Sequence, residues 1–289
     1  MLNQKILKTN LWFYKHKKIS TLALIVLILL IGLIIFKLFS NVEVTINSSW
    51  FGVIGAVIGA LVGGMVTLFA SVYVHNNQLK AKSAVHRKNT IYKPLYDELM
   101  ENKILLDNEN PYPRYISFRE APQTLIGHPQ YTVWERIKKD SRYLQVPTFL
   151  TSKFECFYES INNYRKSLDK AANDVQIQIN EILQNEYQTE CTIQNLGESV
   201  INKIMVKNEK IMDSYVDMYA LNPRIEISQE DVKQLNEKIV LQCWELESVK
   251  ELYKNKNKWM ASQGDLVETL KDLILYINLK YEKQSGKYY

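Results

Sequence analysis

The sequence predicts an all-α protein in which an N-terminal transmembrane helical hairpin is followed by a cytoplasmic bundle of long helices. Three observations predict it. Residues 19–39 and 50–74 are two long apolar stretches separated by one short polar turn. Beyond position 147 the apolar residues recur at steps of three and four, and the period-two alternation of strands is almost absent.

Each apolar stretch is long enough to cross a bilayer, since a hydrocarbon core of about 30 Å takes roughly 20 mostly apolar residues in a helix. Residues 19–39 meet that length with one charge, Lys37, near the end, and residues 50–74 with none. A cleaved secretory signal is the competing explanation of the first stretch. Its apolar region is typically about 7 to 15 residues long and ends at a small-residue cleavage site, whereas this one continues through Leu29, Leu33, Ile35 and Phe36 to Phe39. The stretch therefore reads as a signal anchor.

Basic residues set the expected orientation. Lys5, Lys8, Lys15, Lys17 and Lys18 lie in the N-terminal residues 1–18 with no acid among them. Lys80, Lys82, Arg87, Lys88 and Lys93 follow the second stretch with no acid before Asp97. Both ends are expected to be cytoplasmic. The turn, residues 40–49, carries only Glu43 as a charge, and Lys37 can snorkel to the outer headgroups.

Charge divides the chain into two regimes. The whole is formally +5, but 11 of the 36 basic residues precede Pro94, against one acid of 31. From Pro94 onward 25 basic residues face 30 acidic ones. The basicity belongs to the membrane surface, which names the lipid bilayer as a partner and argues against nucleic acid, which needs a basic binding face.

Residues 50–74 carry the sharpest local pattern. Gly55, Gly59 and Gly63 recur every four residues, and Gly52, Ala56, Ala60 and Gly64 repeat the step beside them. Small residues so spaced make flat stripes on a helix, letting a neighbouring backbone come close in a solvent where apolar burial supplies no drive. The occupant is the first span, the same helix of another copy, or a different membrane protein. Two adjacent rows are wider than one Leu-rich neighbour requires, which points to a homo-oligomer. Thr67 and Ser71 are the only aliphatic hydroxyls and no residue there is charged, so a selective pore is poorly supported.

Residues 75–107 should continue as a juxtamembrane helix, with Pro94 as a kink or break. Residues 108–147 form a connecting segment rich in Pro, aromatics and Arg. In it Tyr112, Tyr115, Phe118, Tyr131, Trp134 and Tyr143 are interleaved with Arg114, Arg119, Arg136 and Arg142. Guanidinium forks and aromatic faces together can hold a phosphate and a base. With no Gly-rich phosphate loop beside them, the aromatics are better read as pinning the segment to the helical core while the arginines pair with acids.

Residues 148–289 read as a helical cytoplasmic domain. Phe154, Phe157, Tyr158, Ile161, Tyr164, Leu168, Ala172, Val175, Ile179 and Ile182 form one apolar stripe of coiled-coil length. A second helix is expected over residues 196–221. Ser228 with Asp231 resembles a capping box opening a third through about Lys256, and Ser262 with Asp265 one opening a last helix through Tyr281. A single cytoplasmic domain of roughly 200 residues accommodates these helices.

No motif points to catalysis. Cys156, Cys191 and Cys243 read as reduced, buried thiols. There is no CxxC, HExxH or GxSxG, and the carboxylates Asp97 with Glu98, and Glu245 with Glu247, read as surface charges. No enzyme activity, cofactor or metal is expected.

The run GAVIGALVGGMVTLFASVYV, followed by a basic stretch and KPLYDEL, resembles the N-terminal anchors of small membrane proteins of low-GC bacteria. The two-span anchor with a cytoplasmic domain also resembles, in architecture, membrane effectors of bacterial antiviral systems. That resemblance implies a multi-pass protein of the bacterial cell membrane, whose cytoplasmic part meets a protein partner and whose spans assemble. The alternatives are a passive tether for a cytoplasmic partner and a receptor for a nucleotide signal at Arg114, Arg119, Arg136, Arg142 and Trp134.

Overall fold

In the computed structural model, residues 49–119, 127–188, 195–207 and 229–282 are described. The first apolar stretch, nearly all of the turn after it, the basic N-terminus and Cys191 lie outside them. Every regular element among the described residues is helical, and the one strand-like feature is an isolated bridge between Ser117 and Gln130. The chain divides into two compact units. Pro94–Leu270 belongs to one, while Lys271–Tyr289 joins Leu2–Lys93 in the other.

In the Leu2–Lys93 unit, helix α1 spans Ser49–Arg87. It starts where the second apolar stretch starts and runs 13 residues past Val74. A π-helical turn, Lys88–Tyr92, follows, with the Lys93 N–H donating to the Lys88 carbonyl. A second π-helical turn, Asn278–Glu282, packs against the end of α1. Lys88 Nζ joins the two, donating to Asn278 Oδ1 at 3.0 Å and pairing with the Glu282 carboxylate.

Helix α2 is Lys93–Asn108, so of the kink or break expected at Pro94 the helix shows no end there, only the π-helical turn just before it. Proline lacks an N–H and its ring crowds the carbonyl four residues back, here that of Thr90. The widened turn just before it takes up both defects without ending the helix. Leu95, Leu99, Asn102 and Leu106 form the buried face of α2.

The connecting segment is folded through much of its length. Ser117 N–H donates to the Pro129 carbonyl and Tyr131 N–H to the Ser117 carbonyl, at 3.0 and 2.8 Å. A short helix α3, Val133–Lys138, and a 3₁₀ turn, Ser141–Gln145, then lead to α4, Thr148–Tyr187. At about 1.5 Å per residue the 40 residues of α4 reach about 60 Å. Its predicted stripe is buried from Phe154 to Ile182, with Tyr158 at the margin.

Helix α5, Leu196–Met205, lies against α4. The helix expected over residues 196–221 ends at Met205, where Lys207 turns left-handed with φ 53°. Residues 208–221 lie outside the described residues. The contact requires Gly197, because a Cβ at that position would overlap the Ala172 carbonyl oxygen of α4. Gln176 Oε1 accepts a hydrogen bond from the Gly197 N–H at 2.9 Å.

The last two helices are α6, Gln229–Glu245, and α7, Glu247–Ile277. Both expected boundaries move. The third helix stops at Glu245 instead of running to Lys256, where Leu246 N–H turns back to the Cys243 carbonyl at 3.2 Å. No helix opens at Ser262, which lies inside α7. Val249, Leu252, Trp259, Gln263, Leu266 and Leu270 form one buried face through that point, and this continuous packing overrides the local capping pattern. Of the thiols, Cys243 is buried, and burial pushes it up to about 12, while Cys156 is exposed on α4, contrary to expectation.

Candidate functional site

Two surfaces stand out, one in each unit, and they hold only part of the residues singled out in the sequence. The first is α1. Gly52, Gly55 and Ala56 lie within this helix, and Gly59, Ala60, Gly63 and Gly64 are exposed along it. Among the described residues, an added Cβ at Gly59, Gly63 or Gly64 meets nothing within 4 Å. Leu61, Met65, Val66, Leu68, Phe69 and Val74 surround them and are each more than half exposed. The helix is long and apolar enough to cross a membrane, and none of its apolar window is buried.

Its hydroxyls are satisfied internally. Thr67 Oγ1 donates to the Gly63 carbonyl at 2.8 Å and Ser71 Oγ to the Thr67 carbonyl at 2.9 Å. Such back-bonding leaves neither of these two hydroxyls in need of water, which suits lipid. It also extends the four-residue row of Gly55, Gly59 and Gly63 to Thr67 and Ser71, so the small-residue surface covers more than four helical turns. His75 and His86 are exposed farther along the same helix.

The second surface is a cleft of about 550 Å³ between α2 and residues 128–136. Asn102 holds this segment in place, its Nδ2 donating to the Gln130 carbonyl at 2.6 Å and its Oδ1 accepting from the Gln130 N–H at 2.9 Å. One turn earlier, Glu98 Oε1 accepts from Thr132 N–H, Thr132 Oγ1 and Val133 N–H at 2.6, 2.9 and 2.9 Å. Glu98 is thus a half-buried anchor for the start of α3, which corrects its reading as a surface charge; Asp97 remains exposed. The signal was present in the sequence, because Glu98 and Asn102 are four apart beside Leu95 and Leu99 and so share the inward face of α2.

Burial raises the Glu98 carboxyl above its ordinary range, opposed by the hydrogen bonds of Val133 and Thr132 and by nearby Arg136. A raised folded value means that the folded chain holds this proton more tightly than the unfolded one. Its contribution to stability is complete below the ordinary carboxylate range and is lost as pH rises through the raised value. Glu98→Gln should therefore flatten the stability-versus-pH curve just above that range, measured by urea unfolding at a series of pH values. Glu98→Ala leaves two buried N–H groups without their acceptor, at a cost of about 1–3 kcal/mol at neutral pH.

The arginines of the segment are held separately. Arg114 pairs with Glu198 of α5 and lies 5.2 Å from the Tyr115 ring centre. Arg142 pairs with Asp140 at 2.6 Å. Arg119 is exposed, its N–H donating to Ser117 Oγ. Arg136 alone of the four lines the cleft, beside Asp97, Glu98 and Glu101. That lining carries more negative than positive charge and opposes the approach of a phosphate. Trp134 is buried, stacked on Phe154 with ring centres 4.2 Å apart.

Burial desolvates the deeper aromatic layer. Tyr131 is 1% exposed, its hydroxyl donates to Gln263 Oε1 at 3.1 Å, and Gln263 Nε2 donates to the Leu99 carbonyl at 2.8 Å. Desolvation raises the Tyr131 hydroxyl well above the ordinary tyrosine value, so it remains a donor at any working pH. This chain of bonds ties the connecting segment, α2 and α7 together, and it was not anticipated from the sequence because its members are more than 30 residues apart. Comparison of the chain with known protein families, with curated proteins and with solved structures finds no match.

Proposed function

We propose that the chain is a membrane-anchored, non-enzymatic effector or adaptor that acts by assembling copies of itself through α1 and its cytoplasmic helices. Both spans cross the bacterial cell membrane, with the N-terminus and the C-terminal domain in the cytoplasm. Following the architectural resemblance, infection by a virus is the setting, and a cytoplasmic protein partner supplies the trigger. One observation carries the reading. The helix with the chain's densest small-residue pattern leaves that surface open and its apolar window wholly unburied, while Pro94–Leu270 has a buried core of its own. In water such a surface is costly. In lipid, its flat rows would let a second backbone approach.

The open space around Gly59 and Gly63 makes the test specific. A Cβ added at either position meets nothing within 4 Å among the described residues, so with leucine at both the fold should be retained and helical content unchanged. Light scattering of the detergent-purified protein should show a discrete oligomer for the wild type and a smaller species for the double variant. Dye leakage from expressing cells should fall with it. Unchanged oligomer size and leakage would exclude assembly through this face, and a monomeric wild type without leakage would leave the hairpin as a plain tether.

A further inference from the structure

Helix α1 does not stop where its apolar stretch stops. It continues from Val74 to Arg87, and every residue from Tyr73 to Lys80 is exposed. Tyr73, 69% exposed, places an amphipathic ring at the end of the apolar stretch, where such rings favour the headgroup layer. His75, Asn76, Asn77 and Gln78 follow, and then Lys80 and Lys82. At 1.5 Å per residue Lys80 lies about 9 Å and Lys82 about 12 Å beyond Val74. The polar layer on each side of a hydrocarbon core is roughly 5–8 Å thick, and a lysine stem reaches back several ångströms. Both ammonium groups therefore come to the depth of the lipid phosphates. Arg87, seven residues after Lys80, returns to the same helix face farther out.

Lys80 and Lys82 are exposed and take no ion-pair partner among the described residues, whereas Arg87 is half-buried with its guanidinium near Tyr92, and Lys88 is held by Glu282 and Asn278. The imbalance extends through the unit. Its described residues hold seven Lys or Arg and two acids, Asp272 and Glu282. In Pro94–Leu270 the sequence instead has 21 basic residues and 28 acidic ones. Positive charge is thus concentrated on the same unit as the exposed apolar helix, continuous with it along one element.

We propose that residues 73–87 of α1 form a docking surface for anionic phospholipids, with Lys80 and Lys82 contacting headgroup phosphates and Arg87 adding attraction at longer range. The inference rests on the membrane reading above and adds the lipid class. A basic residue near an anionic surface contributes about 1 kcal/mol, a factor of about five, so wild-type protein should favour anionic over zwitterionic lipid by on the order of fivefold or more.

The test uses the full chain reconstituted into vesicles of phosphatidylcholine alone and of equal parts phosphatidylcholine and phosphatidylglycerol. Spin-labelled forms of each lipid report the immobilised fraction. The expected result is preferential immobilisation of phosphatidylglycerol, weakened by salt and reduced toward parity when Lys80, Lys82 and Arg87 are all changed to glutamine. Lys88→Gln, which alters the pairing with Glu282, should leave the preference in place. Equal immobilisation of the two lipids by the wild type, or an unchanged preference in the triple variant, overturns the proposal. If inorganic phosphate at matched ionic strength removes the preference where chloride does not, the surface takes a free anion and the lipid assignment fails. Protein that enters neither vesicle overturns the membrane reading itself, an outcome distinct from insertion without preference.

Discussion

Gly197→Val is expected to destabilise the Pro94–Leu270 unit by about 2–4 kcal/mol, seen as a lower melting temperature by circular dichroism in detergent. The cost has two sources. A side chain at position 197 would overlap the Ala172 carbonyl, which belongs to the backbone of α4 and cannot rotate out of the way. Moving α5 outward to make room would also break the hydrogen bond from the Gly197 N–H to Gln176 and loosen Leu196, Val200, Ile201 and Ile204 from the core. Gly264 is the control. It lies within α7 with open space around its Cβ direction, so Gly264→Ala should stabilise by about 0.5–1 kcal/mol through helix propensity alone. Equal effects of the two substitutions would mean that α5 does not approach α4 as closely as described.

Trp259→Ala should cost about 3–5 kcal/mol, the range for deleting a fully buried large aromatic. Trp259 is completely buried in α7, its ring centre 5.0 Å from that of Tyr164 on α4 and 6.5 Å from that of Tyr131 in the connecting segment. Its loss opens a cavity where three elements meet. The damage should be uneven, because Tyr131 depends on the same layer for its hydrogen bond to Gln263. Amide exchange in residues 127–138 is expected to rise before exchange in the middle of α4. Uniform exchange across the unit would show that the aromatic layer does not hold the segment. Trp259→Phe retains most of the ring contact and should lose less.

The long elements were legible in the sequence because their physics is local. A stripe repeating at three and four residues from Phe154 to Ile182 can be satisfied only by a helix buried along one side, and α4 buries it. An uninterrupted apolar run from Trp50 to Val74 dictated helix in the same way, and its spacing of Gly and Ala placed the small residues in rows. Helix ends were less legible. Ser262 and Asp265 match a capping pattern, but the match describes only four residues, while the buried face of α7 from Val249 to Leu270 spans about six turns and outweighs it.

By itself the sequence determined the helical class, the long apolar helix and the separation of a basic region before Pro94 from an acidic remainder, since each follows from composition and period. Only the tertiary structure decided that Glu98 anchors α3, that Gly197 admits α5 to α4, and that Glu198 is the acid that holds Arg114. The physical reason is range. Hydrophobic periodicity is written in neighbours three and four apart, whereas a buried carboxylate, a close backbone approach and an ion pair depend on residues tens of positions away that only the packed chain brings together.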